Sequence, residues 1–380
     1  MANVKLSNVI RRAQTKVDKD DTDLVFYVGG EHIESENIRV HSRGIIAEST
    51  IGPMFYYGFK AGDFLLVSRN PHLKKAGLVD FDGICSEKTF VLETANSDVL
   101  LPEFLPFVLQ NERFWDYAYR HRHGSTNTFI NWSTLANYEF ELPDLETQRK
   151  LAEVLWSIND TMEAYKNLIS ATDELVKSQF MEQFGDPSNN VYGYPVTTLK
   201  EVAVGPLSYG SVSSATEFDG ITRYVRITDI MDDGNLGGDI KSATKTDAKY
   251  LLHEGDILFA RTGATVGKTC RYRENYGRAI YAGFLIRLIP DTTLIDPDYL
   301  YHFTKSDYYW DFVRSAQRVV AQPNINAQEY GDLQILLPKI EAQKSFAAFV
   351  QQSDKSKFEL EQALVELNAT YKRIIAENLG

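Results

Sequence analysis

Leu142-Pro143-Asp144-Leu145-Glu146-Thr147-Gln148 stands in mid-chain, and Leu337-Pro338-Lys339-Ile340-Glu341-Ala342-Gln343 stands near the C-terminus, about 195 residues later. Each opens a helical pattern. The offset is about half of the 380-residue chain, so the sequence reads as a tandem duplication. The match extends outward. Phe129-Ile130-Asn131 falls opposite Asn324-Ile325-Asn326, and Ala61-Gly62-Asp63-Phe64-Leu65-Leu66 resembles Glu254-Gly255-Asp256-Ile257-Leu258-Phe259. The latter pair is about 2 residues out of register, as loops of changed length produce. One pair of Gly-Asp turns arises readily by chance; three motifs in the same order do not.

After Pro143 the apolar positions alternate by steps of four and three: Leu151, Leu155, Ile158, Met162, Tyr165, Ile169, Thr172, Val176 and Gln179. The second copy keeps the phase with Phe346, Val350, Ser353, Lys357, Leu360, Leu364, Leu367, Tyr371 and Ile374. This is the seam that winds two helices together. Each pattern lasts about 35 residues, against a mean helix of about 11–12. An intramolecular antiparallel pair is the economical solution, since each seam buries the other. Ser353 and Lys357 weaken the second seam, and there the helices are expected to splay or to meet a partner. Gly185-Asp186-Pro187 should end the first helix.

The chain can hold two or three domains with proper cores. No run of 18 or more apolar residues exists, so no membrane span is expected. The N-terminus lacks an apolar leader core, and Cys85 and Cys270 fit free buried thiols in a reducing compartment; cytoplasmic localisation is expected. A net charge of −12 argues against a uniformly basic nucleic-acid binder but leaves room for a basic cleft. Arg261, Lys268, Arg271, Arg273, Arg278 and Arg287 form a local basic excess, and Arg113, Arg120 and Arg122 lie among aromatic residues and histidines.

Residues 1–142 and 187–337 share a mixed character. Leu24–Val28, Phe64–Val67, Thr89–Leu92, Arg223–Ile227, Asp256–Ala260 and Ala279–Leu288 read as strands, and Pro102–Leu109 and Pro297–Phe303 each start a helix. The expected fold class is α+β. Two similar α/β regions, 1–142 and 187–337, are separated by long helices within 143–186 and 338–380 that form an antiparallel coiled coil.

The repeated order of an α/β region, Leu-Pro-x-(Leu/Ile)-x-x-Gln and a long helix resembles the specificity subunit of Type I restriction-modification enzymes. Phe184-Gly185-Asp186-Pro187 and Gly255-Asp256-Ile257-Leu258-Phe259-Ala260-Arg261 add to the resemblance, which covers essentially the whole chain. It implies two target-recognition domains, 1–142 and 187–337, each reading one half of a split double-stranded DNA sequence. It also implies that the helices set the spacing and dock two methyltransferase subunits, with two restriction (translocase-endonuclease) subunits completing the enzyme. No cofactor and no catalytic residue are expected in this subunit. Recognition domains of this kind diverge by target, so base-reading residues do not transfer.

DNA binding needs cations for phosphate and forked or amide side chains for base edges. After one strand come Arg261, Thr262 and Lys268 in a glycine-containing loop. The first-half equivalent, Ser68–Lys75, offers Arg69, Asn70, Lys74 and Lys75. Before each long helix a loop carries donors and amides: Arg120, Arg122 and Thr126 in the first half, Arg318, Gln322 and Asn324 in the second. Arg226 on a strand completes the candidate set. Each of these has a plainer reading as a solvated surface group.

Other functions fit less well. Gly263–Thr269 has three residues between its glycines where a phosphate loop needs four, and a strand rather than a helix is expected after it. Asn70-Pro71-His72-Leu73 lacks the Asn-Pro-Pro-Tyr of an adenine methyltransferase. Asp82, Glu87 and Lys88 are too scattered for a nuclease centre, and His121 and His123 lack a third metal ligand. The rivals are a specificity subunit of another restriction class and a coiled-coil scaffold that binds no DNA. Helices of about 35 residues span about 50 Å. That length is an upper bound on the separation of the two recognition surfaces. Two readers on one face of B-DNA prefer centres about one turn, about 34–36 Å, apart. The expected target is therefore two short specific parts at that distance with a nonspecific spacer between them.

Overall fold

The computed structural model describes residues 2–317 and 324–379. The chain forms two compact units, Met1–Lys166 with Glu361–Gly380, and Asn167–Leu360. The long helices run Leu145–Phe184 and Ile340–Leu379, 40 residues each, so each unit contains a stretch of both.

The helices start by different chemistry. Asp144 Oδ1 accepts the Thr147 N–H at 2.8 Å, a side-chain cap. Lys339 has no carboxylate to offer, and its backbone carbonyl takes the Ala342 and Gln343 N–H groups instead. Gly185 ends the first helix at φ 67, a left-handed conformation that suits glycine.

The shared glutamine of the Leu-Pro motif explains why the motif repeats. Gln148 and Gln343 are both fully buried. Gln148 accepts the Leu101 N–H at 3.0 Å and donates to the Val99 and Pro143 carbonyls at 2.8 Å each. Gln343 accepts the Asp296 N–H at 2.8 Å and donates to the Leu294 and Pro338 carbonyls at 3.1 and 2.8 Å. In each unit one buried amide closes three backbone groups, some buried and some part-buried, that have no other partner among the described residues.

The sheets repeat as well. In the first unit Ile10–Ala13, Thr89–Thr94, Phe64–Val67 and Ala76–Leu78 lie side by side, each pair antiparallel. In the second, Ser208–Tyr209, Leu285–Leu288, Ile257–Ala260 and Thr269–Arg271 take the same order. Phe26–Val28 pairs in parallel with Gly83–Ser86, as Arg223–Val225 does with Ala279–Tyr281. Ala2–Lys5 pairs with Glu139–Leu142, and Val196–Thr198 with Gln334–Leu336, so the start of each repeat is fastened beside its long helix.

The helices pack antiparallel. In the first unit Phe107 packs on Trp156 of the first helix and Tyr371 of the second, with ring centroids 5.1 and 6.2 Å away. In the second unit Phe180 and Phe184 of the first helix pack on Phe346 of the second at 5.4 and 5.6 Å. Every seam residue named above is at least partly buried, with Leu155, Val176, Phe346, Val350 and Ser353 fully so. Of the two outcomes expected at Ser353 and Lys357, splaying does not occur: Ser353 is buried and Lys357 Nζ pairs with Asp173 of the facing helix.

Three local expectations need correction. Ala279–Leu288 is two strands with a turn at Ala282–Phe284, because Gly283 donates to the Ser211 carbonyl at 2.7 Å and breaks the ladder. The first-copy helix starts at Leu105 with Pro106 in its first turn, not at Pro102. Arg120 is the last residue of a helix, Glu112–Arg120, rather than part of a loop. Both cysteines are free, and burial pushes both thiols up to about 12.

Candidate nucleic-acid interface

Two backbone hydrogen bonds in each unit bring three segments to one rim. In the second unit the Arg261 N–H donates to the Phe284 carbonyl at 3.1 Å, and the Ile325 N–H donates to the Arg261 carbonyl at 2.9 Å. In the first, the Ser68 N–H donates to the Lys88 carbonyl at 2.7 Å, and the Ile130 N–H to the Ser68 carbonyl at 2.9 Å. A bridge then joins Thr262 to Asn324, as one joins Arg69 to Phe129. Ser68 therefore stands where Arg261 stands, Arg69 where Thr262 stands, Lys88 where Phe284 stands and Phe129 where Asn324 stands.

The side chains on this common frame differ. Arg261 Nε donates to Asn324 Oδ1 at 3.1 Å, and its guanidinium lies 4.7 Å from the centre of the Tyr209 ring. The group is held in place but only partly buried, with donors left over for an anion or a base edge. In the first unit Arg69 is exposed. Asn70 takes the left-handed conformation at φ 50, and its N–H donates to the Thr128 carbonyl at 2.7 Å. Ser68 Oγ turns inward onto the Lys88 carbonyl at 2.7 Å.

The remaining candidates divide by whether their charge is already matched. Lys74 Nζ meets Glu36 at 3.1 Å and Glu112 at 2.7 Å, and Lys75 Nζ donates to the Gly30 carbonyl at 2.6 Å. Arg226 is forked onto the buried Asp229 at 2.7 Å and also donates to the Asp239 carbonyl at 2.8 Å. These three are tied down inside their units. Lys268 pairs at 2.6 Å with Asp232, whose side chain is almost wholly exposed, so solvent weakens that pair. Arg122 covers the Tyr119 ring at 3.7 Å, and Arg120 and Thr126 are exposed. Arg318 and Gln322 lie outside the described residues.

The local basic excess of the second half is mostly internal. Arg287 pairs with Asp256 at 2.6 Å, Arg271 with Asp298 at 3.2 Å, and Arg273 with Asp354 at 2.9 Å. Burial pushes the Asp256 and Asp298 carboxyls above the usual range, against the pull of these arginines. Arg278 of that run is exposed, and Arg261 is part-exposed with donors to spare. Lys268 and Arg273 are part-exposed, but each is paired with a carboxylate that solvent reaches.

The glycine loop does not open a helix. Gly263–Thr265 is a single tight turn, and the strand Thr269–Arg271 follows. Gly267 sits at φ 86, where a Cβ would meet Val313 at 2.6 Å; its smallness serves packing. His123 exchanges backbone bonds with Phe129 at 2.7 and 2.9 Å, and its ring lies beside that phenyl.

The sequence did not single out Tyr209 or Phe284, and it showed Lys88 only as a scattered charge and Phe129 only as part of a repeated motif. A turn hidden inside one apolar run masked Phe284. Its partners come from segments far apart in the chain.

Residues 11–171 and 195–368 match the Type I restriction modification DNA specificity domain. The chain belongs to that family. The two matched stretches follow the two halves of the duplication, so the family's domain occurs twice. A stretch of 132 residues is 26% identical to the Type I restriction enzyme HindI specificity subunit of Haemophilus influenzae. That match covers 33% of this chain and spans 28% of the relative's length. Two solved structures share the fold. The S subunit of a Type I restriction-modification system from M. genitalium superposes with a TM-score of 0.62 at 14% identity, over 100% of this chain and 96% of that one. A chain from a type I R-M system, solved for its complex assembly and conformational transition, gives 0.57 at 20% identity, over 99% and 97%. No helix among the described residues is long and apolar enough to cross a membrane.

Proposed function

We propose that this chain is the DNA-recognition subunit of a Type I restriction-modification enzyme and is itself non-catalytic. Residues 1–142 and 187–337 each read one half of a bipartite duplex target. The observation that carries this reading is the duplicated rim. The same two backbone bonds recur in both units, and they present different cations, amides and apolar groups on one frame. A shared frame with exchanged side chains is what two readers of different half-sites need.

The cations with donors to spare, Arg69, Arg261 and Lys268, would neutralise phosphates, and Asn70, Thr262 and Asn324 would offer hydrogen bonds to base edges. Arg120, Arg122 and Thr126 would extend the first reader. Lys74, Lys75 and Arg226 are better explained as internal struts. The long helices would dock two methyltransferase subunits, with two restriction subunits completing the assembly. Leu168, Leu175 and Phe358 on those helices are large, apolar and exposed, which supports a protein partner there. Methyl donor and catalytic groups would come from the partner subunits, and the chain would work in the cytoplasm.

The test is methylome sequencing of cells with and without the gene. A bipartite methylated motif that depends on the gene supports the reading. An unchanged methylome in a strain with an active modification subunit rejects it and favours a protein scaffold.

A further inference from the structure

The rim of the second unit carries two apolar side chains that stand largely exposed among the described residues. Val212 is 95% exposed and Phe284 is 60% exposed. They stand on neighbouring segments, where Ser211 bridges Ala282. The Gly283 N–H donates to the Ser211 carbonyl at 2.7 Å, and each apolar residue is the next one along its strand of chain. The Phe284 carbonyl also holds the Arg261 N–H, so the phenyl belongs to the same backbone junction as the candidate phosphate-binding arginine. At the matching junction of the first unit the residue is Lys88, whose side chain is 46% exposed and whose ammonium pairs with Glu87 at 2.6 Å. One backbone position thus accepts a ring in one unit and an ammonium in the other. A residue needed for the core would not tolerate that exchange, so the side chain here is free to serve a contact outside the unit.

Duplex DNA offers few apolar groups to such a contact. In the major groove the one apolar substituent on a base edge is the thymine 5-methyl, next to acceptors and donors that Arg261, Thr262 and Asn324 could meet. We infer that Val212 and Phe284 form the receiving surface for a thymine methyl in the half-site read by the second unit. The inference rests on the DNA-recognition reading and adds to it a base class and two specificity-determining residues. Lys88 gives the first unit a hydrogen-bonding side chain at the same place, so that half-site should not depend on a methyl there.

The experiment uses the full-length chain and duplexes carrying its methylated motif, with each thymine of the second half-site replaced in turn by deoxyuridine, which lacks only the methyl. One replacement should weaken wild-type binding about fourfold, the effect of one buried methyl at about 0.8 kcal/mol. Phe284→Ala should bind the thymine and deoxyuridine duplexes alike, with an unchanged dependence on salt, because no phosphate contact is lost. Val212→Ser should show the same pattern more weakly. Both positions are exposed, and a thermal melt checks that the variants fold.

A second half-site without thymine, or deoxyuridine effects equal in wild type and Phe284→Ala, overturns the inference while leaving DNA recognition standing. Wild-type protein that does not prefer its motif over a scrambled duplex overturns both. A Phe284→Ala chain that binds both duplexes like wild type, yet lowers methylation by the assembled enzyme, assigns the ring to a protein contact and overturns the inference as well.

Discussion

Arg261 and Ser68 occupy one position in two copies of the same frame, yet one reaches out to Asn324 and the other folds in on the Lys88 carbonyl. Phe284 and Lys88 differ as sharply. Gln148 and Gln343, by contrast, make the same three kinds of bond in both units. Duplication has kept the buried polar chemistry and released the rim. The buried amide cannot change without leaving backbone groups unpaired, whereas a rim side chain faces solvent and is constrained only by what it touches there.

The largest effect expected from this contrast is a change of target. Replacing residues 187–337 with the matching region of a relative should alter one half of the methylated motif and leave the other half untouched. Replacing 1–142 should do the reverse. Sequencing the methylome of each chimaera reads the outcome, and a chimaera that changes both halves breaks the picture of two independent readers.

Next in size are the glutamines. Gln148→Leu and Gln343→Leu each strip one N–H and two carbonyls of their partner. The cost is about 1–3 kcal/mol for a buried group and less for the part-buried Val99 and Leu294 carbonyls and Asp296 N–H. Each should destabilise its own unit by about 3 kcal/mol, and the two losses should be similar. Hydrogen exchange resolved by segment measures this. A loss below about 1 kcal/mol, or one spread equally over both units, would mean that the motif serves something other than local satisfaction.

Smaller again are the rim cations. Arg69→Ala and Arg261→Ala should each reduce the slope of log affinity against log salt by about 0.9, the value of one phosphate contact on duplex DNA. Lys74→Ala should leave that slope alone, because its charge is already matched by Glu36 and Glu112. A salt titration in which Lys74→Ala behaves like Arg261→Ala would reverse the division between struts and contacts.

The duplication, the long helices and most of the central strands were legible in the sequence because they rest on local pattern: a Leu-Pro-x-x-x-x-Gln motif, a four-three seam, short apolar runs between turns. The pairing of Ala2–Lys5 with Glu139–Leu142 was not, since four residues of mixed polarity carry no strand signal and their partner lies far along the chain. The candidate site was half legible. Its loops follow strands that pattern could find, so Arg69, Arg261 and Asn324 were visible. The partners that remove Lys74 and Arg287 from the free set are acids brought in by tertiary folding. Phe284 was hidden because an apolar run with a turn inside it reads as one longer strand.

The smallest expected effect concerns the helix seam. In the second unit Lys357 occupies a seam position, and Asp173 of the facing helix answers it. In the first unit the same alternation carries Met162 and Leu364, which are apolar. The Asp173 side chain is 57% exposed, so solvent screens the pair, and exposed pairs of this kind contribute about 0.2–1 kcal/mol. A double-mutant cycle over Asp173→Ala and Lys357→Ala should give a coupling of about 0.5 kcal/mol that shrinks toward zero at 1 M salt, where the screening length is about 3 Å. Lys357→Leu should make the second seam resemble the first and hold or slightly raise the stability of that unit. What it gives up is the polar pair that marks one register of the two helices, the role a charged seam residue serves elsewhere. If Lys357→Leu instead destabilised the second unit by more than about 1 kcal/mol, the lysine would be holding the seam together rather than fixing its alignment, and the two halves of the helix pair would differ in kind.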